Sequence, residues 1–128
     1  MFNWRGREAC DGPVVLDEAY LKRLAGHMGD DTLRELMHDG LLELVDRMNT
    51  IDALLEASET ETLGRTVHDI AGMAGHLGLS RLSTAAVDAE RFLRDPSTAA
   101  KIATSVLRAE APEAIAALRD FLDGAGAD

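Results

Sequence analysis

His68-Asp69-Ile70-Ala71-Gly72-Met73-Ala74-Gly75-His76-Leu77-Gly78 decides the fold of this chain. Together with Leu63 and Val67 upstream, Ile70, Ala74 and Leu77 recur at alternating spacings of four and three, which is the apolar stripe of a helix that buries one face. At about 100° per residue, His68 lies roughly 140° from the centre of that stripe, Gly72 about 180° and Gly75 about 120°. The histidine and the glycines therefore share the side turned away from the core. Glycine inside a helix costs roughly 0.5–1 kcal/mol relative to alanine, so Gly64, Gly72 and Gly75 around one histidine need a reason. Close approach of another molecule supplies one.

Outward from this helix, the punctuation predicts four more. Asp17 is placed to N-cap a short helix, with Leu16 positioned to staple against Leu21 and Gly29 closing it. Asp30 is expected to cap a long one carrying Leu33, Met37, Leu41, Leu44, Met48, Ile51 and Leu55, ending near Ala57. Ser58-Glu59-Thr60-Glu61 fits a capping box that opens the His68 helix, and Gly78 suits its left-handed end. Ser80 is expected to cap a fourth helix, with Leu82, Ala86, Ala89 and Leu93 as its stripe and its end near Asp95. Asp95-Pro96 places proline at the first position of a fifth, with Ile102, Val106, Ala109, Leu118 and Leu122 on its apolar side and a kink at Pro112.

No segment alternates like a strand. The expectation is all-α: an antiparallel up-and-down four-helix bundle with the extra short N-terminal helix lying across one end. Residues 1–15 are expected to be an irregular leader and 16–124 a single helical domain.

Composition bounds the function. The chain has 128 residues, 46% hydrophobic but only 4% aromatic, so one core of aliphatic and small side chains is expected. A formal net charge of −10 argues against nucleic acid and anionic membrane surfaces, both of which are held by clustered Lys and Arg. Cys10 is the single cysteine, which excludes an internal disulfide and a Cys-x-x-Cys pair. No apolar run reaches the length of a membrane span, and nothing behind Met1-Phe2-Asn3-Trp4-Arg5 resembles a signal peptide. A cytoplasmic protein is expected.

Metal chemistry lacks its ligands. A di-iron bundle needs two Glu-x-x-His elements, whereas Glu35-Leu36-Met37-His38 is the one present, with His38 off the seam. His68 and His76 are eight apart and project to different sides, unlike a helical zinc pair. His27 and His76 are read as bystanders. No nucleophile elbow or phosphate-cradling loop occurs. An outward imidazole can instead attack phosphorus: imidazoles as a class titrate near pH ~6.5, so a good fraction is neutral at neutral pH.

These residues resemble a known family. His68-Asp69-Ile70-Ala71-Gly72-Met73-Ala74-Gly75-His76-Leu77-Gly78-Leu79-Ser80-Arg81-Leu82 is similar, without a gap, to the histidine-containing phosphotransfer pattern His-x-hydrophobic-Lys-Gly-small-small-x-x-hydrophobic-Gly-x-x-x-Leu. The resemblance implies a bundle whose histidine exchanges a phosphoryl group with the aspartate of receiver domains, in response regulators or hybrid histidine kinases. His68 matches the acceptor. It further implies that the chain binds no cofactor, that Mg²⁺ sits on the partner receiver, and that the protein works as a monomer and phosphoryl carrier.

Two positions depart from the pattern. Ala71 stands where the family commonly has lysine, and Glu90 where relatives often have glutamine. A carboxylate near a phosphoryl group repels it unless paired. Arg65, one turn before His68, is a candidate for the lost charge, with Arg91 or Arg94 helping from the next helix. Arg65, Ala71, Gly72, Gly75 and Glu90 thus accompany His68 as candidate docking or phosphate-proximal residues. The competing reading is an adaptor or inhibitor that docks a receiver or kinase on this face without transfer. A third is a bundle whose Gly72 and Gly75 merely permit contact in a homo-oligomer.

Overall fold

A computed structural model describes residues 13–127, and over them the chain is helical with no strand. In chain order the helices are α1 (Glu18–Met28), α2 (Asp30–Glu56), α3 (Thr60–His76), α4 (Ser80–Leu93), the single turn α5 (Ala100–Ala103) and α6 (Ser105–Ala127). The leader expected over residues 1–15 falls outside the described residues up to position 12. The four long helices pack in the order α2–α3–α4–α6 and close back from α6 to α2, with the α3–α4 interface the most extensive and α1 lying on α2. This is a helical bundle around one aliphatic core.

The apolar stripes of α2, α3 and α4 face that core as expected. Leu33, Met37, Leu41, Leu44 and Ile51 are buried from α2, Leu63, Val67, Ile70 and Ala74 from α3, and Leu82, Ala86 and Ala89 from α4. Ala85 joins them. The last segment differs in register: Ile102 and Val106 are 69% and 62% exposed, and Ala109 is exposed as well. Ala103, Leu107, Ala111 and Ala114 are buried there, leading to Leu118 and Leu122, which were foreseen. Counting back from Leu118 in threes and fours reaches Ala114, Ala111 and Leu107. The expected set Ile102, Val106 and Ala109 is out of phase with Leu118 and Leu122, so it falls on the solvent side of that segment.

Several helix ends also differ from expectation. Asp17 does N-cap α1, its carboxylate accepting from the Tyr20 amide at 3.1 Å, and Gly29 (φ 92°) ends that helix. Asp30 and Ser80 are first helical residues rather than caps, following Gly29 and Leu79, which make no side-chain cap bond. Ser58 does not form a capping box. It takes a left-handed conformation (φ 57°), with its amide on the Leu55 carbonyl and the Glu59 amide on that of Leu54, so it belongs to a Schellman closure of α2. Gly78 (φ 77°) plays the same part after α3, with amides 78 and 79 on the carbonyls of Gly75 and Ala74. An added Cβ at Gly78 would meet Tyr20 Cδ2 at 3.3 Å and Leu21 Cγ at 3.4 Å, whereas Ser58 is exposed.

Pro96 does not start a helix. It lies in a turn where Asp95 accepts hydrogen bonds from the Ser97 amide and hydroxyl (2.9 and 2.7 Å) and from Thr98, and helix resumes only at Ala100. The Asx-turn wins because its side-chain acceptor competes with helical pairing. The interruption of the last segment falls at buried Thr104, whose hydroxyl returns to the Ala100 carbonyl at 3.0 Å, while α6 runs through Pro112.

Candidate functional site

Because Val67 and Ile70 are wholly buried, the helical period forces His68 between them outward. Its side chain is 70% exposed. About three turns of α3 therefore present, in succession, Gly64, His68, Gly72 and Gly75 along the open side. A Cβ added at Gly64 or Gly72 would meet nothing within 4 Å, and one at Gly75 would meet only Ser83 Oγ at an ordinary 3.6 Å. Neither internal packing nor backbone conformation requires these three glycines. The space they leave faces outward.

The neighbouring wall comes from α4. Glu90, its side chain only 22% exposed, approaches the ring with carboxylate oxygens 3.0 and 3.2 Å from His68 Nδ1. A carboxylate accepts and does not donate, so Nδ1 carries the proton and donates to Glu90. In the neutral ring this tautomer leaves the lone pair on Nε2, the nitrogen that is not bonded to the carboxylate. Glu90 is paired a second time: Arg94 Nη2, one helical turn later, lies 3.3 Å from the same Oε2. The carboxylate that the sequence suggested would repel a phosphoryl group is thus occupied by two donors.

The other candidate cations divide clearly. Arg65 lines the same open hollow as His68, Glu90 and Arg94, but leans back along α3, 3.8 Å from Glu61 Oε2 and 3.5 Å from Thr62 Oγ1. Arg91 turns away, 2.7 Å from Asp88 and with its guanidinium 5.9 Å from the Phe92 ring centre. Ala71 is half-buried, packed against the core, and its carbonyl accepts the Ser83 hydroxyl at 2.9 Å.

Sequence alone did not anticipate the His68–Glu90 bond or divide Arg91 from Arg94; the i, i+4 spacing of Glu90 and Arg94 is the signal that separates them, since it puts Arg94 within reach of that carboxylate. Among the described residues no three His, Cys, Asp or Glu side chains converge as a metal set. His38 and His27 are exposed and distant in sequence from the site, and His76 offers α1 its backbone carbonyl, which accepts the Tyr20 hydroxyl at 3.0 Å.

The family model for the Hpt domain matches residues 35–128. The chain belongs to the Hpt domain family. The match spans well over half of the chain, from the second turn of α2 to the end, and includes the whole of the α3–α4 hairpin that carries the site. No curated protein and no solved structure matches. Membership places this Hpt domain in phosphorelay histidine phosphotransfer, a setting in which such domains meet receiver domains and histidine kinases. Among the described residues, no helix is long and apolar enough to cross a membrane.

Proposed function

We propose that His68 is the phosphoryl acceptor and donor of this Hpt domain, exchanging the group with the aspartate of a receiver. The observation that carries this reading is the 70% exposed ring whose Nδ1 lies 3.0 Å from Glu90, which leaves Nε2 out of that bond, on a helix where a Cβ added at Gly72 would meet nothing within 4 Å. In the forward step the Nε2 lone pair attacks phosphorus. The P–O bond of the aspartyl phosphate breaks, and the carboxylate leaves with the bonding electrons. Nδ1 keeps its proton, so the ring gains positive character that the Glu90 carboxylate offsets, as a carboxylate does for a catalytic imidazole. Reversal regenerates the neutral ring. Any Mg²⁺ belongs to the receiver, where the acyl phosphate is held.

We place the functional unit at residues 16–124, acting as a monomer in the cytoplasm, with its long helices antiparallel because the connections at 57–59 and 77–79 are too short for anything but reversal. Across one end of that bundle we place α1.

The adaptor reading rests on Ala71 in place of a lysine. Incubation with a radiolabelled, phosphorylated receiver separates the two. Wild type is expected to acquire acid-labile, base-stable label and His68→Gln none, with unchanged thermal stability. Wild type that binds the receiver but stays unlabelled makes the domain an adaptor.

A further inference from the structure

A phosphoryl group on Nε2 would bring a dianion to the surface of a chain already at −10, next to Asp69 and Glu61 on α3 and Glu90 on α4. Such a group needs a cation within a few ångströms. Helix α3 offers Arg65, which is drawn back toward Glu61 and Thr62. Of the two arginines at the end of α4, Arg91 is committed to Asp88 at 2.7 Å. Arg94 alone is joined to the ring: its guanidinium and His68 Nδ1 share Glu90 Oε2, at 3.3 and 3.0 Å.

We infer that Arg94, held beside the ring by Glu90, is the residue that binds the phosphoryl group carried on His68. The inference rests on His68 being the acceptor. Glu90 has two jobs here: it keeps the proton on Nδ1, and it tethers a 73% exposed arginine side chain in the same open hollow that His68 lines. As negative charge arrives on Nε2, the guanidinium has donors to spare, because one N–H bond to Oε2 leaves four others free to reach phosphoryl oxygens. The charge that neutralises the phosphoryl group thus comes from α4, across the interface from the helix that bears the histidine.

Phosphoramidate tests this without a protein partner. The Nε2 lone pair attacks phosphorus, the P–N bond of zwitterionic phosphoramidate breaks, and ammonia leaves with the bonding pair while Nδ1 retains its proton. Phosphohistidine is followed by ³¹P NMR in the full chain. Arg94→Gln is expected to slow uptake by about 3- to 10-fold and to flatten its salt dependence, Arg94→Lys to stay within about 2-fold of wild type, and Arg91→Gln to match wild type. Thermal melts of all three should coincide with wild type, since an exposed ion pair contributes little to stability. Arg94→Gln at the wild-type rate, or Arg91→Gln as slow as Arg94→Gln, overturns the assignment of Arg94 while leaving His68 as acceptor. If wild type takes up no phosphoryl group from phosphoramidate or from a phosphorylated receiver, the acceptor reading itself fails and this inference with it.

Discussion

The two faces of α3 obey opposite rules. On the inner face, Leu63, Val67, Ile70 and Ala74 are at most 1% exposed, and each side chain is fixed by others of the same molecule. On the outer face, Gly64 and Gly72 have no neighbour that an added methyl would touch, and the histidine between them is open. Inside, the residue chosen is the one that fills space. Outside, it is the one that leaves space, although a helical glycine lowers stability. A helix that carries glycines its own fold does not require has been shaped by something beyond the fold.

The largest test of this contrast truncates the inner face. Ile70→Ala should cost about 2–5 kcal/mol in chemical denaturation, through lost apolar burial and the cavity left behind. A loss below about 1 kcal/mol would mean that the inner face collapses around the gap and is less tightly specified than its burial indicates. On the outer face the sign should reverse. Gly72→Ala is expected to raise stability by about 0.5–1 kcal/mol, because alanine is the better helix former and meets no atom there. Gly72→Leu should add bulk without unfolding and slow transfer from a phosphorylated receiver by about 10-fold, while uptake from phosphoramidate stays near the wild-type rate. Equal slowing with both donors would locate the effect in the ring and not in docking.

Part of this contrast was legible in the sequence. The stripe Leu63, Val67, Ile70, Ala74 and Leu77 fixed the inner face, and arithmetic alone put His68, Gly72 and Gly75 opposite it. Helix-to-helix detail was less legible. Nothing in the spacing of His68 and Glu90, on different helices, says that the carboxylate lies 3.0 Å from Nδ1; that depends on how α3 and α4 are set against each other. Gly40 is a similar case. A Cβ there would fall 2.8 Å from Leu77 Cδ2, so this glycine serves close packing, which one helix read alone does not reveal. Ser58 misled because Ser-x-x-Glu also suits a capping box, and the left-handed closure of the preceding helix took the serine first.

The smallest expected effect lies away from α3, in the turn after α4, and serves as a control on the site. Hydrogen bonds from the Ser97 amide first, then the Ser97 hydroxyl and Thr98, hold the Asp95 carboxyl below its ordinary value. A carboxyl lowered in this way contributes stability fully above the usual carboxylate range near ~3.9 and loses it as pH falls through the lowered value. Asp95→Asn should therefore lower the melting temperature slightly at pH 7, and the gap to wild type should close in acid. Its phosphoryl uptake should equal that of wild type. A gap that persists unchanged at pH 2–3 would show that the turn depends on the shape of the side chain and not on its charge.

Hydrogen bonding and family resemblance draw the start of this domain in different places. The family match begins at residue 35, yet the Asp17 amide donates to the Gly78 carbonyl at 2.8 Å, the Tyr20 hydroxyl to that of His76, and Leu21 is fully buried. The last carbonyls of the helix bearing His68 thus find their donors in a segment that precedes the recognised family region. A polypeptide begun at residue 35 would keep every atom of the acceptor site while fraying the far end of the helix on which it stands. The N-terminal helix works as a brace, and a domain boundary taken from sequence likeness alone would cut it off.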